Sequence, residues 1–177
     1  MTTAMASDPT LVATVNAIGD AMVKTIREGG RILWFGNGGS AADAQHLSTE
    51  LVVRYRKNRP AIASIALTTD TSALTATGND LGFEQVFARQ IEALGRPGDL
   101  AVGITTSGTS DNVLLGLEQA KSSGLTAVGF VGALTNDRLA ASTDLLLQIP
   151  SPVTAHVQEA HILCGHVLCE IVEASIV

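Results

Sequence analysis

The sequence predicts an α/β fold, a three-layer α/β/α sandwich around a five-stranded parallel sheet. Three observations carry that expectation. Short apolar runs alternate with segments of helical period along the whole chain. Two of those runs end in a glycine- or hydroxyl-rich loop placed directly before a helix start. No change of composition divides the 177 residues, a length that suits one domain with a substantial core.

The elements follow in order. Residues 1–10 are small and polar and are expected to form a loose N-terminus, with residues 11–177 making a single domain. Leu11 to Glu28 has helical periodicity and stops at Gly29-Gly30. Arg31-Ile32-Leu33-Trp34-Phe35 reads as a buried strand ending at Gly36, and a helix is expected from Gln45 to Tyr55. Ile62 to Leu67 reads as the second strand. Helices are expected over Thr69 to Ala76 and Phe83 to Leu94, parted by Thr77-Gly78-Asn79-Asp80-Leu81-Gly82. Leu100 to Ile104, Thr126 to Val131 and Leu145 to Ile149 supply the remaining strands. One helix follows the third strand from Asp111, and a last helix runs from about Pro152 to Ile176.

Composition excludes several classes of function. The net charge is -6 and the only notable basic cluster is Arg54, Arg56, Lys57 and Arg59, so no nucleic-acid footprint is present. No stretch reads as a membrane span or a secretory leader, and a cytoplasmic location is expected. Cys164 and Cys169 share one apolar segment without a CxxC spacing and read as reduced core residues. Hydrophobic residues make up 46% and charged residues 16%, leaving little polar material to cover a monomer; burial of helix faces between subunits is expected.

The chemistry concentrates in two loops. Gly36-Asn37-Gly38-Gly39-Ser40 joins the first strand to its helix, where glycine lets an anion approach the main chain and first-turn amides attract it. His46 and Glu50 stand four apart on that helix and so share a face, an arrangement that suits proton transfer or metal binding near a held phosphate. An ordinary surface pair has the same spacing. Arg54 is four residues further, placed to pair with Glu50 or to contact the ligand. The second loop, Thr105-Thr106-Ser107-Gly108-Thr109-Ser110, offers five hydroxyls in six residues. Neither loop follows GxxxxGK[ST] or GxGxxG, so a sugar phosphate is a better ligand than a nucleotide, and no nucleotide cofactor is expected. In the last helix Gln158 and His166 are eight apart and can reach one pocket, with His161 turned to the other side.

Taken together, Gly36 to His46, Arg59-Pro60, Leu67-Thr68-Thr69-Asp70, Gly78-Asn79-Asp80, Thr106-Ser107-Gly108 and Gln158-Glu159-Ala160-His161 resemble the phosphoheptose isomerases, a family of sugar isomerase (SIS) domain proteins. The resemblance covers nearly all of the chain from Leu11 onward. It implies a flavodoxin-like SIS domain and an aldose-ketose isomerase that converts sedoheptulose 7-phosphate to D-glycero-D-manno-heptose 7-phosphate for ADP- or GDP-heptose precursors. By that resemblance Ser40, Thr105, Ser107 and Ser110 match phosphate-binding positions, with Thr106 beside them and Gly38 and Gly39 in the same loop. Asn37, Arg54 and Asp80 match substrate contacts. Glu50 and His166 match the catalytic acid/base pair, and His46, Glu50, Gln158 and His166 match the ligands of a zinc ion, one per subunit. Gln158 also counts among the substrate-binding positions. The resemblance further implies a homotetramer with active sites at subunit interfaces.

Two departures and two rivals bear on that expectation. The region before the first helix is shorter than in many members, which bears on subunit packing. Thr154-Ala155-His156 stands where some members carry an aspartate, so one substrate contact is expected to differ. A related SIS protein that binds the bacterial replication initiator lacks the acid/base pair, whereas Glu50 and His166 are both present here. The second rival is an isomerase or aldolase-like SIS enzyme of another sugar phosphate; among these, arabinose 5-phosphate isomerases usually add regulatory domains that 177 residues are too few to hold.

Overall fold

A computed structural model describes residues 5–176. Five strands, β1 (Ile32–Gly36), β2 (Ser64–Ala66), β3 (Leu100–Thr105), β4 (Thr126–Val131) and β5 (Leu145–Gln148), form one all-parallel sheet in the order β2-β1-β3-β4-β5. Seven helices surround it among the described residues: α1 (Pro9–Arg27), α2 (Gly39–Val52), α3 (Thr71–Asp80), α4 (Ala88–Leu94), α5 (Asp111–Ser122), α6 (Asp137–Ser142) and α7 (Thr154–Ile176). This is the α/β architecture expected from the alternating pattern.

The layers follow from the side chains of the central strands. Every residue of β1 and β3 is buried, as parallel strands covered on both faces must be. Ile32 and Trp34 point to one face and pack with Leu100, Val102, Phe130 and residues of α1, α2 and α7. Leu33 and Phe35 point to the other, where Ala101, Ala127, Ile91 and Leu117 receive them. Phe35 meets Phe87 at a ring separation of 5.2 Å on that second face. Successive residues of one strand therefore feed two separate cores, which is what makes three layers.

Several boundaries differ from the sequence expectation, each for a local reason. Residues 1–4 of the expected loose N-terminus lie outside the described residues. Within the rest, Met5 packs against the core and α1 starts at Pro9, because Asp8 caps it by accepting from the Thr10 and Leu11 amides. Helix α2 begins six residues before Gln45, on the Gly38 turn (φ 55°), and Ser40 lies inside its first turn without capping it. It also stops at Val52, three residues before Tyr55. Asp70 caps α3 through the Ala73 amide, and the helix continues through Gly78 to Asp80, where a loop was expected. The expected helix over Phe83 to Leu94 is divided into a 3-10 turn (Phe83–Gln85) and α4. Helix α6 was not expected; Asn136 caps it by accepting from the Leu139 amide at 2.9 Å. The edge strand β2 is shorter than Ile62 to Leu67 and pairs only with β1.

Candidate active site

The strand order reverses between β1 and β3: the chain leaves β1 toward α2 on one face and leaves β3 toward α5 on the other. Open parallel sheets bind ligands at the carboxyl ends of strands at such a point. The two loops singled out in the sequence lie there, side by side.

In the first loop the Asn37 carbonyl accepts from the Ser40 amide at 2.9 Å, opening α2. Gly36 is required by close approach, since a Cβ there would meet the Ile104 carbonyl oxygen at 2.7 Å and the Ser40 Cβ at 2.8 Å. Ser40 is buried, and its hydroxyl makes no hydrogen bond among the described residues. In the second loop Thr105 Oγ1 is 3.2 Å from Ser110 Oγ and 3.5 Å from Ser107 Oγ, and it accepts from the Gly108 amide at 3.2 Å. Ser110 is the N-cap residue of α5 but its hydroxyl does not cap the helix. Hydroxyls held close to each other and spared from capping suit an oxyanion ligand at the α5 N-terminus. Thr106 contributes its carbonyl to the Gly132 amide instead.

Three residues meet further along α2. His46 Nε2 and His166 Nε2 are 2.8 Å apart, one nitrogen carrying the proton and the other accepting it. Glu50 Oε1 lies 3.4 Å from His46 Nε2. Ligand atoms of His46, Glu50 and His166 all lie within 4.8 Å of one another, and these side chains are partly exposed. Two imidazole nitrogens and a carboxylate oxygen form a donor set that fits a divalent metal ion of the borderline class. At a rise of about 1.5 Å per residue, His46 and Glu50 stand roughly 9 and 15 Å along the axis from Ser40.

The structure does not join every expected residue to this group. The Gln158 amide packs on the backbone of the first loop: a Cβ at Gly39 would meet Gln158 Oε1 at 2.5 Å and would push that flexible side chain aside. Gln158 thus reaches the anion loop from α7. Arg54 lies beyond the end of α2, exposed, with no ion pair to Glu50 among the described residues. The helical spacing that suggested such a pair ends at Val52. Asp80 is exposed at the end of α3 and accepts from Asn79 Nδ2 at 2.7 Å. His161 faces away, as its spacing predicts, and is fully buried with Nε2 3.2 Å from the Val131 carbonyl oxygen. Burial pushes its imidazole down to about 4, although the Val131 contact works the other way.

Of the basic cluster, Arg59 is structural. Its guanidinium pairs with Glu173 Oε1 at 3.1 Å and donates to the Glu50 and Leu51 carbonyls at the end of α2. Arg56 makes an exposed pair with Glu170. Cys164 and Cys169 are buried free thiols, pushed by burial to about 11 and about 12, which keeps them protonated and unreactive.

Three neighbours of the site were not foreseen. Tyr55 stacks on His166 at a ring separation of 5.6 Å. Asn112 is hydrogen-bonded to Asn37. Asp43 is buried on α2 with Oδ2 unpartnered, and burial lifts its carboxyl to about 6 against the opposing pull of His46. Asn112 and Asp43, polar residues of the two loop-following helices, carried the only signal in sequence.

Known proteins share this arrangement of loops and helices. The sequence profile of the SIS domain matches residues 5–132. A phosphoheptose isomerase of Paramagnetospirillum magneticum is 60% identical over 154 residues, covering 87% of this chain and 80% of the relative. The chain belongs to the phosphoheptose isomerase family of SIS-domain proteins. A phosphoheptose isomerase of Burkholderia pseudomallei is 49% identical over 173 residues, spanning 98% of this chain and 87% of its own length. The solved phosphoheptose isomerase of Neisseria gonorrhoeae superposes with a TM-score of 0.86 at 42% identity, covering 93% of this chain and 87% of that one. As a phosphoheptose isomerase family member the chain is an enzyme, an aldose-ketose isomerase.

Proposed function

We propose that the chain interconverts sedoheptulose 7-phosphate and D-glycero-D-manno-heptose 7-phosphate, the step that supplies precursors of ADP- or GDP-heptose. The observation that supports this most is the His46, Glu50 and His166 group on the helix that opens at the anion loop. Phosphate is held by Ser40 and by Thr105, Ser107 and Ser110, and the sugar extends along α2.

The chemistry required is a proton transfer between neighbouring carbons. The Glu50 carboxylate takes a proton from carbon 1 of the ketose while the carbonyl oxygen on carbon 2 gains one from His166, giving a cis-enediol. The hydroxyl proton on carbon 1 then returns to His166, and Glu50 delivers its proton to carbon 2. The aldose results with no net gain or loss of protons by the enzyme. Positioned acid and base groups contribute about 10² to 10⁴ in rate. His46, Glu50 and His166, with Gln158, are the residues that would hold a zinc ion, one per subunit. The ion supplies Lewis-acid polarisation of the sugar carbonyl when bound.

The working assembly is a homotetramer with sites at subunit interfaces. An apolar groove of about 330 Å³, lined by Leu11, Val12 and Val15 of α1 and Leu163, Cys164 and Val167 of α7, supports burial of that face by another subunit. No helix among the described residues is long and apolar enough to cross a membrane, in keeping with a cytoplasmic sugar-phosphate enzyme.

The test is turnover of sedoheptulose 7-phosphate in D2O followed by NMR. Aldose should form with deuterium at carbon 2, and a folded protein giving neither aldose nor exchange ends this reading. Glu50→Gln and His166→Ala should each lower turnover by about 10²-fold or more while retaining phosphate binding. Near-normal rates in either variant would remove that residue from its role.

A further inference from the structure

The two anion loops are joined by a pair of side chains. Asn37 Nδ2 donates to Asn112 Oδ1 at 2.7 Å, and Asn112 Nδ2 donates back to Asn37 Oδ1 at 2.8 Å. Asn37 directly follows β1, and Asn112 is the second residue of α5. Asn112 is 4% exposed. Each amide carries two N–H donors and two acceptor lone pairs, so the pairing consumes half of each group and leaves Asn37 one donor and one acceptor for a ligand.

We propose that Asn112 is a positioning residue for sugar-phosphate binding, acting through Asn37 to fix the separation of the two anion loops. Its physical basis is the reversal of strand order. Beyond β1 and β3 the backbones part to opposite faces of the sheet, so ladder hydrogen bonds no longer hold the loops together. The last rung of their ladder pairs Gly36 with Ile104. The amide pair links the two loops beyond that rung. The Asn37 carbonyl meanwhile accepts from the amides of Ser40 at 2.9 Å and Ala41 at 3.3 Å. Moving the Asn37 side chain therefore moves the first turn of α2. A buried amide left without its partner draws in water or turns away, and either response alters the spacing of donors around the anion.

This inference rests on the sugar-phosphate reading of the site, and its test uses inorganic phosphate so that the two can fail separately. Calorimetric titration of the full-length protein with inorganic phosphate should show the Kd rising about tenfold in Asn112→Ser, the effect of losing one net hydrogen bond plus a stranded amide. Asn112→Asp, of the same shape, keeps the bond from Asn37 Nδ2 but strands Asn37 Oδ1 and adds a negative charge, and should weaken phosphate further. In an Asn37→Ala background, Asn112→Ser should change the Kd by less than about twofold, since its route of action is gone. With the sugar phosphate as substrate, Asn112→Ser should raise KM by the same factor as Kd and leave kcat within about threefold.

An unchanged Kd in folded Asn112→Ser overturns the proposal. A full additional tenfold loss in the Asn37→Ala background also overturns it, because Asn112 would then meet the anion directly. A lowered kcat at constant KM and Kd assigns Asn112 to the chemical step and equally overturns it. Failure of the wild-type protein to turn over sedoheptulose 7-phosphate, with phosphate binding and its Asn112 dependence intact, ends the isomerase reading and leaves this one standing.

Discussion

Histidine 161 and aspartate 43 are buried for different reasons and set opposite trends in stability. The His161 imidazole is neutral in the fold at about 4, against an unfolded value of 6.5, so the unfolded chain binds more protons in between. Its contribution is complete above pH 6.5 and is lost as pH falls toward 4, by about 3 kcal/mol. The Asp43 carboxyl is raised from 3.8 to about 6, so the fold holds its proton longer than the unfolded chain does. Stability from that group is present at low pH and declines as pH rises from 3.8 through 6, by on the order of 1 kcal/mol after screening. The net expectation is a protein less stable at pH 4.5 than at pH 7. Urea unfolding followed by fluorescence of Trp34, the only tryptophan and fully buried, measures it. His161→Gln removes the titration, so its loss between the two pH values should be smaller than that of the wild type. An equal or larger loss rejects the assignment. Sequence spacing separated His161 from His166 correctly, because both lie on one regular helix. Burial of Asp43 was illegible, because it depends on elements that pack over α2 from distant parts of the chain.

At the scale of elements, the join between α2 and α7 decides where α2 ends. Glu173 on α7 accepts from the backbone amides of Tyr55, Arg56 and Lys57 at 3.2, 2.9 and 2.8 Å and pairs with Arg59. Burial alone would raise its carboxyl; the three amides and the guanidinium outweigh that and hold it below the usual carboxylate range. Arg59 in turn covers the free carbonyls of the last turn of α2, a task that capping groups normally perform. Side-chain exposure is 1% for Arg59 and 3% for Glu173, so breaking this pair strands a buried charge. Arg59→Met should destabilise the protein by about 3 kcal/mol or more. Arg56→Met, which loses only an exposed pair, should cost less than about 1 kcal/mol. Chemical denaturation of both variants checks the difference, and equal costs would dissolve the distinction. The sequence singled out Arg54 among the four basic residues and gave no sign that Arg59 is the buried one. What separates them is a carboxylate 114 residues away from Arg59, which no local pattern reports.

The whole molecule places its chemistry where the sheet changes direction, and this was legible because both loops announce themselves. Apolar runs ending in Gly36 and Thr105, with small and hydroxyl residues next, are short-range signals for strand, turn and helix N-terminus. Helix limits were less legible, since Gly38 turns into α2 with a positive φ and Gly78 continues a helix that Asp70 caps, where glycine ordinarily marks a break. The face formed by α1 and α7 is the other whole-molecule feature. Val12 and Val167 are each 42% exposed beside an apolar groove. If that groove is a subunit contact, Val12→Glu with Val167→Glu should lower the mass seen by sedimentation velocity while keeping the helical circular dichroism. An unchanged assembly, or a wild-type protein that sediments as a monomer, removes that role.

The two buried polar fastenings of α7 have a mechanical consequence. His161 is tied to the end of β4 and Glu173 to the segment after α2, with His166 between them. The helix is a beam clamped at both supports, twelve residues apart, and carries the His166 imidazole on the span. Such a span cannot slide or roll without breaking a support. Ligand-driven adjustment of the site therefore falls to the side chains on the beam and to the lighter loops that face it.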